Sequence, residues 1–593
     1  MGFLAGWVAA SQPASPEVRA AAFRVRRRLL HRAPGMSAEA GIPAVLTQGQ
    51  GGAVLLGSDF APVPEARSEE ERLTLLFDGR LDNHGALAAD LRAAGQAPHG
   101  DGDAALVLAG WQAWGTGLLP RLRGAFALVV HDAAAGTLTC ARDRFGQQPF
   151  FWSQAGGNFV FASEIQALLA WPGQGRQADL EVVSHILSFG HSPVDRTPLR
   201  GVNRLAPGHV LTLRVDGRVE LAAWWQLPEV SPELSNDAAG TDALAAEYRR
   251  RLRSAVARAC GGDGAAAVIG HGHAAALVDA GGRPPRPVPA LDEAGASSGL
   301  PDLLSRLQLH AGEPLLAPPA MLLPMAAGLA AGRRLLSDLG ADAILLDSPR
   351  YVEFGHEITR MRSDGRPPAW WAPAFHEVPP FARDLFHRTT GVLTEAERMD
   401  LSGPALAHTL LFAMPDALGT SLEDAGPETW LDRAARIDLT YRIPGLELPL
   451  LDAAATITGA SVACPFLDEE VAGWCLTLPQ TMRQGGLGGP VVCPITPEGE
   501  EEDWLLPNIT ALRPWIADTM LGSASAGRGL FRRRRVEILL APHGSPREAR
   551  ELWAMLCIES WFQSFVDRMP AEPPVPVGAP VPEARESLLV AVA

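Results

Sequence analysis

The sequence predicts an α/β protein of two domains, with a mixed α+β N-terminal part. Between Leu73 and Leu213, short β-rich runs alternate with turns and a helical segment, a pattern typical of sheets with helices packed on them. After residue 243, an amphipathic helix is followed by an apolar strand, a glycine-containing turn and another helix, as at the start of a nucleotide-binding domain. The remainder, as far as Val566, is predicted to be mostly helical.

Domain boundaries follow from changes in composition. A segment rich in proline, serine, aspartate and asparagine predicts a linker at residues 226–242, between a first domain at 1–225 and a second at 243–566. Residues 567–593 are rich in proline, glutamate and valine, which predicts a disordered tail. A chain of 593 residues is long enough for two domains that each bury a core.

Charge and composition exclude several functional classes. The 67 acidic residues outnumber the 51 basic ones and give a net charge of −16, which argues against a nucleic-acid partner. The most membrane-like stretch, Pro314 to Gly332, contains four prolines, so we expect a buried helix and no membrane association. Six well-separated cysteines without a CxxC pair, and a first segment unlike a secretion signal, predict a cytoplasmic protein.

A series of motifs occurs in a fixed order along the chain. They include GRLDNHGALAADL, RLRGAFALVVHDAAAGTLTCARDRFGQQPFFW, LAPGHVLTL, LLSDLGADAILLDSPRY and PFLD. Their order and spacing resemble the glutamine-hydrolysing asparagine synthetases, and the later motifs resemble the synthetase domain shared with β-lactam synthetases and lasso-peptide cyclases. The resemblance implies an N-terminal Ntn-hydrolase-like αββα sandwich of the glutamine amidotransferase type 2 kind. It further implies a PP-loop ATP-pyrophosphatase-like α/β domain with a helical C-terminal part, and ATP and Mg²⁺ as cofactors.

The glutaminase centre that the resemblance implies lacks its nucleophile. Relatives carry a cysteine after the first methionine, whose own amine activates the thiolate, but this chain has Gly2. The family's Asn-Gly-Glu stands here as Asp78-Gly79-Arg80, which puts a base where the substrate ammonium would bind, while Asp103 remains from a second motif. We therefore expect no glutaminase activity, and we interpret Asp78, Gly79 and Asp103 as remnants of the substrate pocket.

The nucleotide site that the resemblance implies is also altered. The family's Ser-Gly-Gly-Leu-Asp-Ser-Ser loop corresponds to residues 270–276, where the acid and both hydroxyls are alanine. In the second motif, Leu339 replaces the family acid and Ala343 the last glutamate. By family position, the candidate cofactor-binding residues are Gly272, Ser337, Gly340 and Asp342, and Asp342 is also the candidate metal ligand. Binding of ATP and Mg²⁺ is therefore in doubt.

Later motifs show the same losses. The family's Lys-Val-Asp-Arg stands at residues 450–453, where only Asp452 remains, and no lysine occurs anywhere in the chain. A lysine that stabilises departing charge near an adenylate is therefore excluded. His271 and His273 could form a new metal or phosphate site, although a solvated or capping role is the simpler interpretation.

Two functional hypotheses remain open. The favoured one is a non-catalytic binding or accessory protein that retains the family fold and engages an active paralogue, a peptide or a small molecule, with a homodimer as a further possibility. The alternative is an active ATP-dependent ligase that forms amide bonds with ammonia or an internal amine, as in asparagine synthesis or lasso-peptide cyclisation. A titration with ATP and magnesium discriminates between them, because only the ligase needs a competent nucleotide site.

Overall fold

A computed structural model describes most of both domains. The described residues are 2–9, 15–33, 44–48, 51–58, 60–62, 73–98, 100, 102–155, 157–230, 238–260, 267–269, 273–282, 293–316, 334–347, 391–410, 430–483, 487, 498–541 and 545–573.

Two antiparallel six-stranded sheets build the N-terminal part. In chain order the strands are β1 (Leu4–Ala9), β2 (Ala44–Gln48), β3 (Gly51–Gly57), β4 (Phe60–Pro62), β5 (Leu73–Leu81), β6 (Gly124–Asp132), β7 (Thr137–Arg142), β8 (Phe151–Ala155), β9 (Asn158–Ala162), β10 (Val202–Arg204), β11 (His209–Leu213) and β12 (Val219–Ala223). The first sheet has the order β10-β8-β9-β1-β3-β2, and the second β12-β11-β7-β6-β5-β4. Four of these strands precede Leu73, where the β-rich pattern of the sequence begins.

The two sheets pack face to face because their strands are apolar on both faces. In β5, Leu76 packs into the core between the sheets, whereas Leu75 and Phe77 pack on the opposite side. This alternation follows from the two-residue period of a strand, and because both faces are buried the middle of β5 is a continuous apolar run in the sequence. Strand β1 shows the same property, since Leu4 faces the sheet interface while Ala5 faces outward onto helices.

Helices cover both outer faces and complete four layers. The N-terminal helices are α1 (Pro16–Leu29), α2 (His84–Ala93), α3 (Asp103–Trp114), α4 (Ile165–Leu168) and α5 (Leu180–Phe189). Helices α2 and α3 pack on the second sheet, and α1, α4 and α5 share a core with the first. The expected αββα sandwich is confirmed by this arrangement.

The C-terminal part contains a short parallel sheet within a helical shell. Its strands are β13 (Ala267–Ile269), β14 (Arg334–Ser337) and β15 (Ser461–Ala463), in that spatial order. The helices are α6 (Ala238–Cys260), α7 (Ala274–Asp279), α8 (Glu293–Ala311), α9 (Ala341–Leu345), α10 (Glu395–Leu401), α11 (Pro404–Leu410), α12 (Trp430–Ile437), α13 (Leu448–Thr458), α14 (Trp474–Leu476), α15 (Gln480–Arg483), α16 (Glu498–Leu521), α17 (Ser523–Arg528), α18 (Arg533–Leu539) and α19 (Pro546–Trp561). Of the strand, turn and helix predicted after residue 243, the strand corresponds to β13 and the second helix to α7, whereas the turn at 270–272 lies outside the described residues.

Two details differ from the composition-based boundaries. Helix α6 begins at Ala238, inside the stretch 226–242 predicted as a linker. The first residues of the predicted tail are in contact with α1, since Arg27 pairs with Glu572 at 2.6 Å. Residues 574–593 lie outside the described part, as does most of the stretch from Pro314 to Gly332. Among the described helices, none combines the length and apolar character needed to cross a bilayer.

Candidate functional site

The residue at the position of the family nucleophile lies in a closed corner of the first sheet. The backbone N–H of Gly2 donates to Asp78 Oδ1 at 3.1 Å, and that of Phe3 donates to Ser58 Oγ at 2.8 Å. A Cβ built on Gly2 would lie 2.3 Å from Ser58 Oγ and 2.9 Å from Asp78 Oδ1. Both separations are shorter than real Cβ contacts, so a side chain at this position requires its neighbours to move.

Asp78 and Gly79 have structural roles in this corner. Burial raises the pKa of Asp78 above its usual range although the charge of Arg32 opposes the shift, and Ser163 Oγ lies 3.3 Å from its Oδ2. Gly79 has a φ of +145°, and a Cβ there would lie 2.1 Å from the carbonyl oxygen of Ala125 on the paired strand β6. Only glycine fits that approach. The Asp78-Gly79 pair therefore shapes the strand whether or not a substrate binds.

Arg80 and Asp103, the other residues of the expected glutamine pocket, lie elsewhere. Arg80 pairs with Asp82 at 2.7 Å and donates to the carbonyl oxygen of Ala259, which belongs to the C-terminal part. A cleft of about 420 Å³ between the two parts is lined by Arg80 and by Cys464. Asp103 accepts the Leu81 N–H at 2.8 Å and contacts His84 Nδ1 at 2.6 Å. Asp78 and Asp103 are thus each bonded within the scaffold.

A buried polar network joins the corner at Gly2 to the C-terminal part. Arg32 is fully buried, donates through Nε to the Gly2 carbonyl, and makes two bonds of 2.7 and 2.9 Å to the carboxylate of Asp452. Its Nη1 also lies 3.3 Å from Oε1 of Glu164, which His31 Nε2 approaches at 2.7 Å. Asp452, kept from the family's later motif, therefore serves as the partner of a buried arginine between domains.

The second candidate region is the crevice at the carboxyl ends of β13 and β14. Ligands in open α/β sheets bind at this edge. Ser337 ends β14, and its Oγ accepts the N–H of Leu339 at 3.2 Å within the following turn. Gly340 has a φ of +91°, and a Cβ there would lie 2.5 Å from a methyl carbon of Leu467. Ser337 and Gly340 therefore shape the turn that leads to Asp342 in helix α9.

His273 and two aspartates meet in this crevice. His273 Nε2 lies 3.1 Å from Asp347 Oδ1 and 3.5 Å from Asp342 Oδ1, while the His273 N–H donates to Asp338 at 3.0 Å. Burial lowers the pKa of His273, but the bond and charge of Asp347 outweigh it, so the pKa lies above its usual value. Desolvation, with the charges of Asp347 and Asp338, raises the pKa of Asp342 to about 6 although this residue reaches the open rim.

Sequence reasoning named Asp342 and His273 as candidates but did not name Asp347. Asp347 had no motif to mark it, and His273 was one of two loop histidines with several interpretations. Gly272, the remaining candidate, and His271 lie outside the described residues. Leu339, at the position of the family acid, packs against apolar neighbours, and Ala343 is buried. The described crevice therefore presents an imidazole and aspartates where relatives were expected to hold nucleotide phosphates.

Comparisons with known proteins identify the N-terminal part. A family model described as a glutamine amidotransferase domain matches residues 4–225. "Asparagine synthetase [glutamine-hydrolyzing] 3" of Bacillus subtilis is 32% identical over 186 residues, which are 31% of this chain and 29% of that protein. "Putative asparagine synthetase [glutamine-hydrolyzing]" of Mycobacterium bovis is 29% identical over 256 residues, 40% of this chain and 38% of the relative.

The matches leave much of each relative uncovered, since this chain aligns with less than two fifths of either synthetase's length. A solved structure of glutamine phosphoribosylpyrophosphate amidotransferase from B. subtilis is similar at 16% identity and a TM-score of 0.27, covering 48% of this chain and 65% of that one. The domain match covers the sandwich whose geometry is described above. The matches therefore assign residues 4–225 to a glutamine amidotransferase domain and show that this chain is similar in part to glutamine-hydrolysing asparagine synthetases.

Proposed function

We propose that this chain is an asparagine-synthetase-like protein that does not hydrolyse glutamine and acts as a non-catalytic binding or accessory protein. The observation that carries the proposal is the closed corner around Gly2. Glutaminase chemistry in this family requires a nucleophilic side chain on that residue, and Ser58 Oγ occupies the space where such a side chain would start, 2.3 Å from the position that a Cβ would take.

The surroundings of Gly2 support the same proposal. Its carbonyl accepts a bond from the buried Arg32, and its N–H donates to Asp78, so both backbone groups are engaged in the scaffold. Cys140, the cysteine of the sandwich, does not offer a substitute nucleophile, because it lies fully buried between the sheets and burial raises its thiol pKa well above the usual value. Arg80, in place of the acid of a glutamine pocket, is bonded across the domain boundary.

The nucleotide site is proposed to be defective as well. ATP and Mg²⁺ are the cofactors that the family resemblance implies, and the described crevice does not fit them. Its imidazole is a poor ligand for magnesium, which prefers oxygen ligands and retains several waters. Ala274, Leu339 and Ala343 offer neither hydroxyls nor carboxylates to phosphate or metal. The proposed function therefore includes no step that uses the nucleotide.

The partner and compartment belong to the same proposal. A retained sandwich without a nucleophile is suited to holding an active paralogue, a peptide or a small molecule, with self-association to a homodimer as a further arrangement. We propose a cytoplasmic location because the five described cysteines, of which Cys260 is half-buried, are free thiols.

Two assays of the full chain test the proposal. Incubation with glutamine should release no glutamate above a protein-free control, and a diazoketone analogue of glutamine should leave no adduct detectable by mass spectrometry. A Cys260→Ala variant is the matched control, because the half-buried thiol of Cys260 is the described cysteine most open to nonspecific labelling. Sustained turnover near 1 per second, a rate within the usual enzyme range, would overturn the proposal.

Calorimetry with ATP and magnesium tests the proposal that the nucleotide site is defective. Each charged hydrogen bond contributes roughly 1.5–3 kcal/mol, so loss of three would reduce the binding free energy of ATP by about 4–9 kcal/mol. We therefore expect a Kd for ATP with magnesium that is weaker than about 100 μM. A Kd well below that value, with pyrophosphate released in the presence of aspartate or ammonia, would instead support the active-ligase alternative.

A further inference from the structure

The crevice at the carboxyl ends of β13 and β14 gathers one imidazole and two carboxylates around a single point. His273 Nε2 lies 3.1 Å from Asp347 Oδ1 and 3.5 Å from Asp342 Oδ1, and all three atoms lie within 4.8 Å of one another. In a tetrahedral zinc site with bonds of about 2.0–2.2 Å, neighbouring ligand atoms are separated by roughly 3.4 Å. The two observed separations bracket that value.

Backbone and ring contacts hold His273 and Asp347 in this arrangement. The backbone N–H of His273 donates to Asp338 Oδ2 at 3.0 Å. The ring of Phe466 meets the imidazole edge-on, with the two ring centroids 5.9 Å apart. Leu346 adopts a left-handed conformation with a φ of 59°, so the chain reverses after helix α9 and brings Asp347 back beside Asp342. Left-handed backbone is unfavourable for leucine, and its presence shows that the surrounding structure holds Asp347 in place.

The charges around the crevice favour a cation. The carboxylates of Asp338, Asp342 and Asp347 all approach one residue, His273: Asp338 accepts its backbone N–H at 3.0 Å, and Asp347 and Asp342 lie 3.1 and 3.5 Å from its Nε2. His273 is 2% exposed, directs Nε2 toward the two ligand carboxylates, and has no partner at Nδ1 among the described residues. A single imidazole cannot balance several negative charges, whereas a bound divalent ion would.

The donor set selects the class of metal. Imidazole nitrogen suits zinc, copper, iron and nickel, while magnesium and calcium favour sites made of oxygen alone. Three protein ligands with Asp342 at the exposed rim leave a side open for water or a ligand, since the side chain of Asp342 is 58% exposed. The crevice therefore matches a zinc-type site with an accessible coordination position.

The other cluster with suitable side chains has a different character. His31, Glu164 and His310 lie close enough to share an ion, but all three are buried and the Arg32 guanidinium lies 3.3 Å from the same Glu164 oxygen that both imidazoles approach. A permanent cation already neutralises this carboxylate, so a metal ion would be repelled. We interpret the cluster as an ion-pair network between domains.

We propose that His273, Asp342 and Asp347 bind a divalent transition-metal ion, with zinc as the preferred metal, at the crevice where relatives would hold the nucleotide. The ion binds to the protein without ATP, and its open coordination position faces solvent beside Asp342. The site is independent of the proposed loss of glutaminase activity, because it lies in the C-terminal part and involves none of the residues around Gly2.

Titration of the chelator-treated full chain with Zn²⁺ and with Co²⁺ tests the proposal, with nucleotide left out. Zn²⁺ is measured by competition with a chromophoric chelator, and Co²⁺ reports imidazole and carboxylate coordination through its visible absorption. We expect one equivalent to bind. Asp347→Asn and His273→Gln should each weaken binding by more than the roughly 10–100-fold that loss of an outer-sphere partner costs.

His84→Gln is the matched control, because His84 also lies against an aspartate, Asp103 at 2.6 Å, but has no third ligand among the described residues. It should bind Zn²⁺ like the unmodified chain, and circular dichroism should show that all variants remain folded. Absence of stoichiometric binding overturns the proposal. So does binding that both Asp347→Asn and His273→Gln leave unchanged, since the ion would then lie elsewhere; a loss confined to His310→Gln would assign it to the cluster with Glu164.

Discussion

Replacement of Asp452 by asparagine should destabilise the protein by removing the charge partner of Arg32. The two groups are 420 positions apart in sequence and form two bonds of 2.7 and 2.9 Å across the domain boundary. The side chain of Arg32 is fully buried, and that of Asp452 is 17% exposed. Asparagine has nearly the same side-chain volume as aspartate, so the expected effect of Asp452→Asn is electrostatic rather than steric.

The size of the stability loss depends on the contacts that Arg32 keeps in the variant. Breaking a buried ion pair by removing one partner costs about 3–5 kcal/mol, because the remaining charge is left without compensation. Arg32 keeps its bond to the Gly2 carbonyl and lies 3.3 Å from Glu164, so we expect a loss near the lower end, about 3 kcal/mol. In the unmodified chain, burial disfavours the charge of Arg32, but the charge and hydrogen bonds of Asp452 outweigh it and raise the pKa of the guanidinium above the usual value, so the charge of Arg32 depends on its partner.

Urea unfolding of the full chain, followed by tryptophan fluorescence, measures the effect. The matched control is Glu220→Gln, which removes a carboxylate from an exposed pair with Arg214 and should leave the midpoint unchanged. The double variant Arg32→Met with Asp452→Leu should be more stable than Asp452→Asn alone, since the buried guanidinium is removed together with its partner and Glu164 keeps its contact with His31 at 2.7 Å. If Asp452→Asn unfolds at the same denaturant concentration as Glu220→Gln, the reasoning is refuted.

Three further predictions concern the N-terminal part. Although burial opposes it, the charges and hydrogen bonds of His31 and His310 hold the pKa of Glu164 well below its usual range. Glu164 therefore stabilises the fold above its unfolded pKa of about 4.3, and the unmodified chain should lose stability relative to Glu164→Gln as the pH falls below that value, in urea titrations at pH 3–6. Asp143 accepts four backbone N–H bonds of 3.0–3.3 Å, so Asp143→Ala should lower the free energy of unfolding by about 3 kcal/mol or more, measured in urea. Gly2→Ala should be destabilising by about 1–3 kcal/mol because of the contact with Ser58, and Ser58→Gly should restore part of the loss in thermal unfolding.

The sequence predicted the elements whose patterns are local. The β-rich runs after Leu73 correspond to strands β5 to β12, and the strand and helix after residue 243 correspond to β13 and α7. Strand β1 was not predicted because it lies between β3 and β9 and is apolar on both faces, which removes the alternation that marks a strand.

The candidate site depended on contacts that no local pattern carries. His273 and Asp347 are separated by 74 positions, and they meet only because Leu346 turns the chain back after helix α9. Arg32 and Asp452 meet across the domain boundary, and no sequence signature distinguishes the buried Arg32, just after an arginine-rich helix, from the exposed Arg27 within that helix. These pairings require the tertiary structure.

The motif residues that this chain retains are those with a mechanical role in the scaffold. Gly79 accommodates the backbone of β6, Gly340 allows Leu467 to approach, and Ser337 closes a turn, so replacement of any of them would disturb packing whatever the chemistry. Gly2 and Leu339 stand where the resemblance would place the nucleophile and the family acid. Their size and polarity are constrained only by the residues that pack around them. Similarity of motifs therefore supports the fold more strongly than it supports the reaction. Function at this crevice follows from the ligand set that is present, and that set is one suited to binding metal without a nucleotide.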